Sequence, residues 1–400
     1  MNRIMFVDDD QNILKGIRRM LHPMRHEWNL TFADSGIKAL SILKDELCDV
    51  IVSDTRMPNM NGIELLLEVR KLYPNVIRIG LSGHSDHELA LESTIATHQQ
   101  LVKPCDPETL KNTISKALKI RLQVKNDTLN KFITKTDSLL PLPKLYQEIT
   151  NVMQSENGSL TEVASIISKD IAMTAKILQL ANSAFFGLTR HVASTQDAVM
   201  YLGYDVIRGL VLTIKLFSDF ESTNESGLNL EELWKRSLEI GNIAKHIATM
   251  AGLDDKCRDY AHMAGMLHDI GILIMAMSMP DEYSEIIKIK LEEKHTTCIA
   301  EERIFGCTHE EVGGALLGIW GLPDPIIDAV TNHHMPTHSV SKNISPLTAV
   351  HLANIYYWRN IQEDCPIQLD NDYIESLDLK EKTEQWELDV KEKFFRAESN

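Results

Sequence analysis

Two groups of side chains in this chain have types and spacings that could do chemistry. The first is an adjacent pair, His268-Asp269, inside the apolar run from Tyr260 to Ile274. A buried imidazole and carboxylate without partners are costly, so the run calls for partners. His309, His333 and His334 follow further along the chain. Histidines and a carboxylate converging from separate helices make a metal-type ligand set. The second group is acidic. Asp8, Asp9 and Asp10 close one short apolar run and Asp54 closes another, while Ser82 and Lys103 close two more. Three carboxylates in one crevice repel, so a divalent cation is needed to hold them ionised together. A carboxylate can accept a phosphoryl group, a lysine can neutralise it, and a serine hydroxyl can donate to its oxygen.

The elements that must position the acidic group are legible. Residues 4–7, 30–33, 50–53, 76–81 and 100–102 read as strands, with helical patterns between them, such as 62–73 closed by Pro74. This alternation implies a parallel doubly wound sheet, whose functional groups lie at the carboxyl ends of the strands. Asp106-Pro107-Glu108 then starts a helix with a cap, an early proline and an acid near the positive end. Its stripe of Leu110, Ile114, Leu118 and Leu122 runs on towards Leu129 and Ile133. The polar extension through Lys125, Asn126 and Asp127 suits a signalling linker or a homodimer contact.

From residue 141 onwards the pattern is helical, as in Leu145, Ile149 and Met153. Residues 182–187 read as a helix end, Ser194 as a cap, 224–227 as a loop, and Trp234 as opening a helix. The length, 400 residues, suits two or three domains. A net charge of −16 without a basic run argues against nonspecific DNA binding. The six cysteines (Cys48, Cys105, Cys257, Cys298, Cys307, Cys365) show no zinc-type spacing and read as reduced cytoplasmic thiols. Residues 3–7 already read as a strand, so no signal peptide is expected, and no apolar run reaches membrane-spanning length without charges.

Residues 1–123 resemble a response-regulator receiver domain of the flavodoxin-like α/β class. The resemblance makes Asp54 the residue phosphorylated by a histidine kinase. It gives Asp8, Asp9, Asp54 and the Arg56 backbone carbonyl to Mg²⁺, and makes Ser82 and Lys103 sensors of the phosphoryl group. Gln100 stands where the family has an aromatic switch residue. A helical linker, 124–140, leads to residues 141–400, which resemble the all-α HDOD domain, a relative of the HD phosphohydrolases. The carrying segments are Leu139-Leu-Pro-Leu-Pro143, Asp170 with Ile177 to Ser183, Ala198 to Gly203, His268-Asp269, His309 to Gly313, Trp320 to Pro323 and His333-His334.

That resemblance outlines an HD-type site of Arg236, His268, Asp269, His309, His333, His334 and Asn354. Active HD and HD-GYP enzymes carry histidine at the position of Arg236 and aspartate at that of Asn354. Arginine stays protonated and cannot ligate a metal, and asparagine is a weak substitute. Met335-Pro336-Thr337-His338 stands in place of the Gly-Tyr-Pro segment. Arg236 is expected to turn into the vacated pocket and pair with Asp269 or a neighbouring acid. His246 and His262 read as ordinary helical histidines rather than replacement ligands.

The resulting expectation is a multidomain two-component response regulator whose non-catalytic HDOD domain binds a signalling partner, for example a cyclic-di-GMP enzyme. Two rivals stay open: a cyclic-di-GMP phosphodiesterase with a variant metal site, and an allosteric regulator of a separate phosphodiesterase. A residual transition metal, Zn²⁺ or Ni²⁺, could occupy the HD-like site without catalysis.

Overall fold

The computed structural model describes residues 1–82, 96–123, 132, 143–154, 158–181, 192–221, 226–293, 296–361 and 367–395. The chain forms two compact units, one built on Met1–Lys144 and the other on Leu145–Gly314 and Pro323–Asn400.

In the first unit five strands, β1 (Asn2–Val7), β2 (Trp28–Ala33), β3 (Val50–Asp54), β4 (Ile77–Ser82) and β5 (Gln99–Val102), form one parallel sheet. Their order is β2-β1-β3-β4-β5. Consecutive residues of β1, Ile4 to Val7, are all buried because both faces of the sheet are covered. Ile4, Phe6, Val50, Val52, Ile79 and Leu81 pack on one face with residues of Gln11–Met20 and Pro107–Gln123. Met5, Val7 and Ile51 pack on the other with residues of Gly36–Asp45 and Gly62–Leu72. The strand order reverses between β1 and β3, so the crevice opens at their carboxyl ends, where Asp8 and Asp54 stand.

The helix Gly62–Leu72 opens with a capping box between Asn61 and Glu64, and Tyr73 is its C-cap. A Cβ at Gly62 would lie 1.6 Å from the Asp54 carbonyl oxygen. Only glycine lets this helix start against the strand end that carries Asp54. Asp106 caps the helix Pro107–Gln123, accepting from the Thr109 N–H at 3.0 Å.

Among the described residues the second unit contains helices and no strand. The helix Leu230–Met250 packs on Asp255–Leu267 and Pro346–Ile361, and Asp324–Asn332 packs on the latter two. Two sequence readings need adjustment and a third stands. The apolar run around His268-Asp269 is not one helix: it breaks between Asp255–Leu267 and Ile270–Ser278, with Asp269 at φ −98° and ψ 14°. The Asp269 carboxylate makes no capping bond to the second helix, because it is engaged across the site. The helix read as opening at Trp234 starts at Leu230, where Asn229 accepts from the Glu232 N–H and two acids follow. The cap read at Ser194 is present and starts Thr195–Leu202.

The stretch Asp255–Ser278 is long and apolar enough to span a membrane by length and composition, yet 94% of its apolar window is buried inside the fold. It is a core element of this unit. The linker sequence around Lys125 and Leu129, the segment Leu139 to Leu142, and the helix end read at 182–187 lie outside the described residues.

Candidate functional site

The acidic crevice is built by three strand ends. Asp8, just past β1, is buried; Asp54 ends β3; Lys103 follows β5. The Lys103 ammonium bridges the two acids, 2.8 Å from Asp8 Oδ2 and 3.1 Å from Asp54 Oδ1. The Lys103 N–H donates to the Ser82 carbonyl at 2.7 Å, which fixes these residues side by side. Asp10 is used as the cap of Gln11–Met20, accepting from the Asn12 N–H at 2.7 Å. That leaves Asp8, Asp9 and Asp54, which each offer an oxygen within 4.8 Å of the others. The Arg56 N–H lies 3.4 Å from Asp54 Oδ1.

Burial pushes the Asp54 carboxyl up and Asp8 adds to that; Lys103 pulls against both, and the net shift is upward. Burial alone would lower the Lys103 ammonium, but Asp8 and Asp54 outweigh it and hold it up. A carboxylate set of this kind fits a hard divalent cation. The lysine sets a fixed positive charge beside these carboxylates.

In the second unit Asp269 is the centre. Its Oδ2 accepts from Arg236 Nε at 3.1 Å and Nη2 at 2.5 Å. The guanidinium carbon lies 5.4 Å from the ring centre of Trp358, so the arginine is held between a carboxylate and an aromatic face. Three imidazoles surround the same carboxylate. His268 Nε2 is 3.2 Å from Oδ2, while His309 Nε2 and His333 Nε2 are 3.3 and 3.8 Å from Oδ1. Burial pushes the Asp269 carboxyl up, but His268 and Arg236 outweigh it and hold it well below the usual carboxylate range.

Each imidazole is oriented through its other nitrogen. The partners place Nδ1–H of His268 on the Gly265 carbonyl at 2.8 Å and that of His333 on the Val330 carbonyl at 2.9 Å. His309 Nδ1 donates to Glu301 Oε2 at 2.7 Å, and the His309 backbone N–H reaches the same oxygen at 2.9 Å. The three Nε2 atoms are buried and make no hydrogen bond. Nδ1 tied back and Nε2 turned inward is the arrangement of metal-binding histidines. The Asn354 Oδ1, on Pro346–Ile361, is likewise buried without a hydrogen bond. A Cβ at Gly271 would lie 1.9 Å from the His309 carbonyl oxygen, so glycine permits the backbone approach that brings His309 in.

The titration states differ around the ring. Burial works to lower His309, but Glu301 outweighs it and holds the imidazole well above its usual range. His333 and His334 are held well below theirs, by burial first and then by neighbouring imidazoles. The His334 N–H donates to Glu310 Oε1 at 3.2 Å.

Sequence reasoning missed Glu301, Glu310, Cys298 and His351. His351 donates from Nδ1 to the His333 carbonyl at 2.7 Å and accepts the Asp370 N–H on Nε2 at 3.2 Å. The available signal for Glu301 was its place beside Ala300 on the buried stripe of Thr297–Phe305. His246 and His262 lie on other partners, Asp389 and Asn242.

A parallel sheet with carboxylates and a lysine at its switch point, followed by a helical unit with an HD-like centre, defines a two-part protein of receiver-like sheet and helical HD-like unit. Comparison with known proteins gives the family. The response regulator receiver domain matches residues 4–115, and the HDOD domain matches residues 139–336. The chain belongs to the response regulators: an N-terminal receiver domain carries an HDOD output domain. The crystal structure of an HDOD domain protein of unknown function from Geobacter sulfurreducens is 28% identical, with a TM-score of 0.52. The match covers 68% of this chain and 99% of that one.

An uncharacterized protein of Treponema pallidum is 24% identical over 219 residues, 55% of this chain and 42% of that protein. The hydrogenase transcriptional regulatory protein HoxA of Bradyrhizobium diazoefficiens is 30% identical over 128 residues, 31% of this chain and 26% of its own. The chain thus spans less than half the length of these curated relatives.

Proposed function

We propose that Asp54 accepts a phosphoryl group from a histidine kinase and that the HDOD domain answers by binding a signalling protein, without hydrolysing a substrate. Residues 1–123, 124–140 and 141–400 are the receiver, linker and output in this reading, and the setting is the cytoplasm. Asp8, Asp9, Asp54 and the Arg56 carbonyl would hold Mg²⁺, which neutralises charge during transfer. Lys103 and Ser82 would hold the phosphoryl oxygens afterwards.

The observation that carries the non-catalytic output is the Arg236 guanidinium on Asp269 Oδ2. It places a permanent positive charge on the carboxylate that a hydrolytic metal would need. His268, His333 and Asp269 offer donors within 4.8 Å of one another and would still hold one transition ion. The partner is a signalling protein, and cyclic-di-GMP enzymes are the first class to test.

Three measurements test this. Acetyl phosphate with Mg²⁺ should label the parent and leave Asp54→Asn unlabelled. The phosphorylated full-length chain should capture a signalling partner that the Asp54→Asn chain does not. Cyclic-di-GMP with Mn²⁺ or Fe²⁺ should remain intact; turnover that disappears in His268→Ala would replace this reading with a phosphodiesterase.

A further inference from the structure

We propose that Cys298 is a metal ligand and forms, with His309 and His334, a thiolate-containing site for Zn²⁺. This goes beyond the phosphorylation reading and deepens the expectation of a residual metal in the HD-like site: His309 and His334 belong to that site, and Cys298 adds a donor outside the cluster of His268, Asp269 and His333. The three residues come from separate elements: Cys298 from the first turn of Thr297–Phe305, His309 from the start of His309–Ile319, and His334 from just beyond Asp324–Asn332. No short zinc-type spacing joins them, so only the fold brings them together.

The Cys298 sulfur and one ring nitrogen each of His309 and His334 lie within 4.8 Å of one another. Bonds of about 2.3 Å to sulfur and 2.1 Å to nitrogen place tetrahedral ligands roughly 3.6 Å apart, so closing the site takes about an ångström of side-chain movement.

An independent observation points the same way. His309 is fully buried, its Nδ1 is taken by Glu301, and its Nε2 makes no hydrogen bond and has Asp269 Oδ1 3.3 Å away as an ion-pair neighbour. Glu310 ties the other two ligands together. One oxygen accepts the His334 N–H at 3.2 Å and the other faces the Cys298 sulfur at 3.7 Å. Arg236 sits on Asp269 and not on this set.

The donor types decide the ion. A thiolate with two imidazoles selects a thiophilic, four-coordinate cation such as Zn²⁺ over Mg²⁺ or Mn²⁺. Binding displaces the thiol proton and the proton on His309, and both pass to bulk water.

The experiment uses the full-length chain and the metal alone. With Co²⁺ as a probe, the parent should show a near-ultraviolet thiolate-to-cobalt charge-transfer band. Cys298→Ser should lose that band and bind Zn²⁺ at least about tenfold more weakly in competition with a chelator. His268→Ala should keep the band, because that histidine belongs to the other donor set. X-ray absorption of the zinc-loaded parent should show a sulfur neighbour at about 2.3 Å. Zinc surrounded only by nitrogen and oxygen, or a band that survives in Cys298→Ser, overturns the proposal. If Cys298→Ser does not fold, the parent decides: zinc should protect Cys298 from N-ethylmaleimide, read by peptide mass spectrometry. Equal labelling with and without zinc overturns it.

Discussion

Replacing Arg236 by methionine removes the guanidinium while keeping an apolar stem, and it leaves Asp269 buried with its negative charge. The side chains of the pair are 12% and 7% exposed. At the Nε to Oδ2 distance of 3.1 Å the attraction is about 5 kcal/mol for an effective dielectric of about 20. Stranding one partner of a buried pair costs about 3–5 kcal/mol in general. Asp269 would not be wholly stranded, because the His309 imidazole, held protonated by Glu301, remains 3.3 Å away. The expected cost is therefore at the lower end, about 3 kcal/mol.

Urea unfolding followed by far-ultraviolet circular dichroism reads this as a lower midpoint at unchanged slope. Because Arg236 also lies over Trp358, a double-mutant cycle with Asp269→Asn separates the ion pair from the stacking. The double variant should be clearly less destabilised than the sum of the singles, with a coupling of at least about 1.5 kcal/mol. A coupling below about 0.5 kcal/mol would refute the view that the pair replaces a metal as the partner of Asp269.

Gly62→Ala should destabilise the receiver by about 1–3 kcal/mol and slow Asp54 labelling by acetyl phosphate, since the new methyl collides with the Asp54 carbonyl; parent-like labelling would show that the helix start shifts freely. Burial, with a smaller contribution from Lys245, pushes the His262 imidazole down to about 3. Below a pH of about 6.5 the unfolded chain therefore binds a proton that the fold refuses, and stability is lost as pH falls, by about 2 kcal/mol at pH 5. His262→Gln should lack this component, and an identical pH profile would argue against a neutral buried imidazole. Arg236→His combined with Asn354→Asp should raise transition-metal affinity at least about tenfold in chelator competition; no gain would mean that these two side chains do not face the inward Nε2 atoms.

The sheet was legible because each of its strands is a short apolar run with a clear stop, and because strand ends are where an open parallel sheet does chemistry. Asp8, Asp54 and Lys103 could therefore be placed together from spacing and strand order. The break at His268-Asp269 was not legible, since apolar residues continue on both sides and nothing local punctuates them. The start at Leu230 was missed because reading from Trp234 ignored the cap at Asn229 and the acids behind it. Glu301 and Glu310 lie in stretches with ordinary helical composition; their roles come from tertiary contacts with His309 and His334 that no local pattern encodes. Cys298 was dismissed for the same reason, as its ligand partners are on other helices.

The tie from Glu301 to His309, the one from His351 to the His333 carbonyl, and the Arg236–Asp269 pair have an evolutionary consequence. Each is a buried polar contact whose loss would strand its partner, so drift cannot erode them one at a time without a folding cost. These ties hold the outline of the site in place for the sake of stability, whatever chemistry the site performs. Two side-chain replacements, at Arg236 and Asn354, are therefore all that separate this scaffold from the ligand set the HD-type resemblance describes, and neither touches the ties from Glu301 or His351.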